Sequence, residues 1–158
     1  MRIGEVCALK WGDIYLEEHI FSVNKTMQRL QIKDGSDKKT KVIITKPKSA
    51  SSNRKIPIPY NIYNILVNKK RNDNTFLLTN KESEYLEPRT MQNRFKAILK
   101  ICKIDDVRFH SLRHTFATRC VELGFDAKSL SEILGHSSVN ITLYKYVITN
   151  KVFSSTIS

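Results

Sequence analysis

The sequence predicts an α+β fold, mainly helical, with one small three-stranded antiparallel sheet. Two observations carry this. Between residues 20 and 58, three short runs rich in β-branched and aromatic residues are separated by polar loops. From residue 60 onward apolar residues recur at helical spacing, with proline, serine and glycine where helices start and stop. At 158 residues and 41% hydrophobic content the chain has the apolar surface for one packed domain.

Residues 3–10 read as a short helix with Ile3, Val6 and Leu9 on one side, ended by the Trp11-Gly12-Asp13 turn. Ile20, Phe21 and Val23 start a strand region that continues at residues 41–45 and 54–58, best arranged as a small antiparallel meander. The loop "QIKDGSDKKTK" carries an Asp-Gly turn and several lysines. "TKPKSASSNRK" is a serine-rich hairpin connection with basic residues on both sides. Each is either a phosphate-contacting loop or a solvated one, the ordinary place for lysine.

An amphipathic helix follows at 61–71, and Pro88 opens another over 89–102, with Phe95, Ile98, Leu99 and Cys102 at helical spacing. Leu112, Phe116 and Cys120 repeat the pattern and are expected to face the core. Residues 127–134 form a helix stopped by Gly135, and Ser137 or Ser138 caps a final one over 139–148. There is no internal repeat and no interdomain linker.

Lys+Arg number 27 against 15 Asp+Glu, giving a formal charge of +12 and a sequence pI of about 9.7. That balance favours a polyanionic partner. No apolar run is long enough to cross a bilayer and the opening residues do not read as a secretory signal, so a soluble, cytoplasmic protein is expected, with no membrane partner. Cys7, Cys102 and Cys120 are odd in number and widely spaced, without a CxxC pair, and are expected to be buried, reduced thiols.

The chemistry concentrates in two stretches. In "HSLRHTFATRC", His110 and Arg113 lie three apart and project from one helical face, a rigid guanidinium fork beside an imidazole. The spacing of His110 and His114 permits a metal edge, but no third ligand is evident and no metal is expected. In "LGHSSVNITLYKYV", Gly135 ends a helix, His136 sits in the turn, and Tyr146 shares the apolar face of Val139 and Leu143. Tyr144 is turned about 200° from that face, at about 100° per residue. Taken singly, these are a helix start with a surface arginine and a core tyrosine with a satisfied hydroxyl.

Taken together, "MRIGEVCALKWGDI", "PKSASSNRKIPI", "HSLRHTFAT" and "LGHSSVNITLYKYV", in this order and spacing, resemble the catalytic domain of tyrosine recombinases, the integrases of phages and mobile elements. The resemblance covers nearly the whole chain. It makes Arg2 the first arginine of a catalytic site, with Glu5 as its orienting acid. Lys48 matches the lysine of the hairpin between strands, with Lys46 a near competitor. His110 and Arg113 become the His-x-x-Arg pair, His136 the second histidine and Tyr146 the nucleophile. Tyr144 is set aside because the family's tyrosine usually follows that histidine by nine or ten residues and Tyr144 follows by eight.

The resemblance implies site-specific cleavage and rejoining of double-stranded DNA through a 3′-phosphotyrosyl link and a released 5′-hydroxyl, for integration or recombination. Arg2, Arg113 and His136 would stabilise charge on the phosphate, His110 would accept the tyrosine proton, and Lys48 would protonate the leaving oxygen. No metal or other cofactor is required, so chelators should leave activity intact. Lys39, Lys41, Lys46, Arg89 and Arg94 are expected on the DNA backbone, and Val152 and Phe153 are either partner contacts or part of a frayed terminus. The family pattern also has residues before the first arginine and a separate N-terminal DNA-binding module. Residues 1–158 are therefore expected to be a C-terminal catalytic domain with low strand-exchange activity alone, drawn from a protein that acts as a homotetramer on DNA. Two rivals are a non-catalytic helix-turn-helix DNA-binding protein, built on "LSEILGHSSVNITLYKYV", and a type IB topoisomerase.

Overall fold

Glu5 starts the first helix: its carboxylate accepts the Arg2 backbone N–H at 2.6 Å and so caps α1 (Ile3–Ala8). A 3₁₀ turn at Trp11–Asp13 leads into β1 (Ile14–Tyr15), β2 (Ile20–Val23), β3 (Thr26–Gln31) and β4 (Thr40–Thr45). A second 3₁₀ turn, Ala50–Ser52, precedes β5 (Arg54–Pro57). Helices α2 (Tyr60–Val67), α3 (Pro88–Ile101), α4 (His110–Glu122), α5 (Ala127–Leu134) and α6 (Val139–Thr142) complete the fold, and α6 runs on as a π-helical segment, Leu143–Ile148. The structure is a computed structural model that describes residues 1–32, 40–47 and 49–148.

The expected three-stranded antiparallel sheet is present, but its membership differs. The sheet order is β1-β2-β5, with Ile20 opposite Pro57 and Val23 opposite Arg54. Strand β4 leaves it and pairs with β3 as a separate ribbon, Thr26 opposite Thr45 and Gln31 opposite Thr40. In β3 only Met27 is buried, so the strand carries almost no apolar alternation to announce itself. Met27 packs with Cys7 and Ala8 of α1 and with Phe76, and Arg29 reaches Glu87 at the start of α3, with Nε 3.1 Å from the carboxylate. These contacts hold the ribbon against the helices rather than the sheet.

Leu9, Trp11, Ile14, Phe21, Ile58 and Leu66 form a core cluster between the sheet and α2. A second cluster joins α4, α5 and the last helical turns through Ala117, Cys120, Leu130, Leu134 and Tyr146. Helix α4 buries a different face from the expected one. Leu112 and Phe116 remain about half exposed, at 50% and 48%, and the buried stripe is Arg113, Ala117 and Cys120. Ala117 is small enough for the leucines of α5 to approach α4 closely, and the stripe that faces α5 carries a guanidinium in place of a large apolar group. Cys7 and Cys120 are buried as expected, whereas Cys102, at the end of α3, is exposed. Burial pushes the Cys7 thiol up to about 11 and the Cys120 thiol up as well.

Candidate active site

Three arginines converge on one carboxylate and one turn. Arg2 places Nη1 2.9 Å from Glu5 Oε1 and Nη2 3.3 Å from the Gly135 carbonyl. Arg54, at the first position of β5, pairs with both oxygens of the same carboxylate, Nη1 at 3.1 Å and Nη2 at 2.9 Å. It also donates from Nε to the Ile133 carbonyl at 2.7 Å and from Nη1 to the Ser52 carbonyl at 3.0 Å. Arg113, on the buried stripe of α4, donates from Nη2 to the Leu134 carbonyl. The guanidiniums thus grip the last turn of α5 and the Gly135 bend from three directions.

Gly135 is suited to that position. Its φ of +66° lies in the left-handed region, and a Cβ there would stand 2.9 Å from Arg54 Cδ and 3.0 Å from the Ser51 carbonyl oxygen. The bend delivers His136, whose Nδ1 lies 2.8 Å from the hydroxyl of fully buried Thr142. Ser138 caps α6 through the Asn140 N–H, and the helical turns that follow carry Tyr146 inward, 4% exposed, while Tyr144 is 74% exposed. The rings of His136 and Tyr146 are parallel, with centroids 6.4 Å apart.

The Tyr146 hydroxyl lies 2.9 Å from His114 Nδ1. His110, one turn earlier on α4, stands edge-on to His114 with centroids 4.7 Å apart. Arg2, Glu5, Arg113, His136 and Tyr146 are therefore brought together, with His110 at their margin. Lys48 and Lys39 lie outside the described residues, as do Val152 and Phe153. Lys46 lines a hollow of about 620 Å³ with Asn24, Lys25 and Ser49 beyond the end of β4. Lys41 is exposed on β4, and Arg89 and Arg94 are exposed on α3. Arg89 also lines a cavity of about 380 Å³ beside the site, together with Lys96, Arg108, His110 and Arg113.

Three further contributors are Arg54, Thr142 and His114, the last considered from the sequence only as one edge of a metal pair. Arg54 sat in plain view in "SSNRKIPI", where the period of two places it on the inward face of Ile56 and Ile58. His114 is four residues after His110, and Thr142 is four before Tyr146, each on a shared helical face.

Electrostatically the site is built for an anion. Around Glu5 three positive charges meet one negative charge. Burial pushes the Glu5 carboxyl up, yet the hydrogen bonds and charge of Arg54, together with Arg2, hold it down at about 2. Burial, and then the charges of Arg2 and Arg54, lower Arg113 to about 10. Its Nη1 is buried and finds no hydrogen-bond partner among the described residues. A buried charged donor without an acceptor costs more than the ~1–3 kcal/mol of a neutral one, so the arrangement favours a bound oxyanion. Burial raises Tyr146, with Arg113 pulling the other way. Among the described residues no three His, Cys, Asp or Glu side chains converge as a metal site would need, and no helix is long and apolar enough to cross a membrane.

Comparison with known proteins places these features in context. Residues 1–151 match the sequence profile described as the Phage integrase family. A relative named Tyrosine recombinase XerC-like, from Caldanaerobacter subterraneus subsp. tengcongensis, is 30% identical over 167 residues, covering 94% of this chain and 43% of the relative. An Integrase of Staphylococcus phage L54a is 28% identical, covering 96% and 46%. The chain thus spans less than half the length of these curated relatives. Among solved structures, the XerA recombinase superposes with a TM-score of 0.63 at 25% identity, over 91% of this chain and 46% of that one. The Tn1549 transposon integrase, solved in complex with a circular intermediate DNA, superposes with a TM-score of 0.70 at 22% identity, over 100% of this chain and 55% of that one, a likeness of fold.

Proposed function

This chain belongs to the phage integrase family, and on that premise we propose that it cleaves and rejoins DNA strands through a tyrosine joined covalently to a 3′ phosphate. In this reading residues 1–158 supply the catalytic domain, and the partner is double-stranded DNA; the integrase whose fold it shares was solved with DNA. The observation that carries the reading is the buried Nη1 of Arg113, without a hydrogen-bond partner among the described residues, at the same site as buried Tyr146. One group is short of an anion; the other is the nucleophile a phosphodiester would meet.

The scissile phosphate replaces the missing acceptor. Arg113 and Arg2 hold its non-bridging oxygens, where charge accumulates as Tyr146 Oη attacks, and His136 adds a donor fixed by Thr142. Glu5 and Arg54 do not touch the phosphate; they hold Arg2 and the Gly135 bend in place. The Oη proton passes to an imidazole of α4, the bond between Oη and phosphorus forms as the bond to the 5′ oxygen breaks, and Lys48 or Lys46 supplies the proton that the leaving oxygen takes. Attack by the 5′-hydroxyl of another strand reverses these steps and joins new ends. Lys39, Lys41, Arg89 and Arg94 serve the DNA backbone, so affinity falls with salt at a log–log slope of about −0.9 per phosphate neutralised. Assembly on DNA as a homotetramer is part of the same proposal.

The test is a pool of nicked suicide duplexes of randomised sequence, in which cleavage releases a short strand and traps the protein. Wild-type protein should give a denaturant-resistant DNA adduct that Arg113→Gln reduces by at least about a hundredfold. DNA binding without any adduct across the pool would favour the non-catalytic reading.

A further inference from the structure

We propose that His114 is a catalytic residue that holds the Tyr146 hydroxyl and accepts its proton as Oη attacks phosphorus. The proposal rests on the cleavage reading above and deepens it, because the family resemblance gives the proton to His110.

The geometry selects His114. Its Nδ1 stands 2.9 Å from Tyr146 Oη, within the reach a general base needs, and the two rings lie with centroids 5.7 Å apart at 47°. Helix α4 supplies the reason. His114 follows Arg113 directly and sits four residues after His110, so it rises from the turn of α4 that Tyr146 packs against in the cluster with Ala117 and Cys120. His110 belongs to the exposed first turn of α4 and lines the neighbouring cavity.

The proton balance is complete. The Oη–H proton passes to His114 Nδ1, the Oη–P bond forms, the P–O5′ bond breaks, and the 5′ oxygen takes a proton from the hairpin lysine. His114 must start neutral, with Nδ1 as acceptor. Among the described residues, the charged or titratable groups around the pair include Arg113 beside it on α4, His110 at 4.7 Å between ring centroids, His136 across the tyrosine ring and Cys120 in the shared cluster. A neutral phenol is a poor nucleophile near pH 7, so delivery to an adjacent base is worth about 10²–10⁴ in rate.

The experiment measures single-turnover adduct formation on the trapped suicide duplex against pH, for wild type, His114→Ala, His114→Gln, His110→Ala and Tyr146→Phe, with folding checked by thermal melting. The expected result is a loss of about a hundredfold or more in His114→Ala, partial rescue by added imidazole, and loss of the histidine-like limb of the pH profile. His110→Ala should keep that limb. If His114→Ala folds and cleaves at the wild-type rate or faster, with the limb intact, the proposal is overturned, and so it is if the limb vanishes only in His110→Ala. Should His114→Ala fail to fold, His114→Gln, which can still hydrogen-bond the phenol but cannot accept its proton, carries the same comparison. Absence of any Tyr146-dependent adduct in the wild type would instead overturn the cleavage reading itself.

Discussion

Arg54 spans from the start of β5 to Glu5 of α1 and closes a two-point ion pair, with both side chains almost fully buried, at 5% and 3% exposure. No other carboxylate among the described residues answers the arginines at this site. The pair therefore positions Arg2 and the Gly135 bend at once.

Removing one partner leaves the other charged and buried. Arg54→Ala should destabilise the fold by about 3–5 kcal/mol, and Glu5→Gln should act in the same direction. In the double variant Glu5→Gln with Arg54→Ala the loss should be smaller than the sum of the singles, because each single change already breaks the same ion pair. Denaturant unfolding of the four proteins checks this; strictly additive losses would contradict it.

The same pair sets an acid limb. Arg54 and Arg2 hold the Glu5 carboxyl down at about 2 in the fold, against an ordinary carboxylate value of 4.5. The charged form is the favoured one, so its contribution is complete above pH ~4.5 and disappears as pH falls towards 2. The stability gap between wild type and Glu5→Gln should narrow across that window. A gap that stays constant from pH 5 to pH 2.5 would contradict the assignment.

Arg113 should make the protein sense oxyanions before any DNA is added. Sulfate or vanadate, compared with chloride at equal ionic strength, should raise the melting temperature by mass action on the folded state. Arg113→Lys keeps the charge but loses the fork, and most of that increment should vanish. An equal increment in the variant would place the anion elsewhere.

Gly135 and Gly124 both adopt positive φ, at +66° and +79°, but only Gly135 faces Arg54. Gly124→Ala should cost about 1 kcal/mol of backbone strain alone. Gly135→Ala should cost more, because the added methyl meets Arg54 and the Ser51 carbonyl, and it should also lower oxyanion affinity. Equal costs in the two variants would refute the packing argument.

The architecture was legible where local chemistry and tertiary packing agree. Pro88, Gly135 and Ser138 sit at helix ends that their backbone preferences dictate, and the inward turn of Tyr146 follows from its spacing to Val139 and Leu143. The sheet was harder, since a two-stranded ribbon like β3–β4 needs no continuous apolar face and Met27 is the one buried residue of β3. Helix α4 misled because large apolar residues dominate a periodicity reading. Leu112 and Phe116 point outward there, and Arg113 takes the buried stripe, where its guanidinium meets the Leu134 carbonyl of α5. Arg54 was hidden for a related reason: a buried polar group looks like a surface residue until its partner, Glu5, is placed beside it in space.

The central claim is tested most directly by finding the atom that carries the DNA. Proteolysis and mass spectrometry of the trapped adduct should locate a nucleotide 3′-phosphate on Tyr146, with no adduct in Tyr146→Phe. A linkage on Tyr144 or on a serine, or an adduct that survives Tyr146→Phe, would contradict the account.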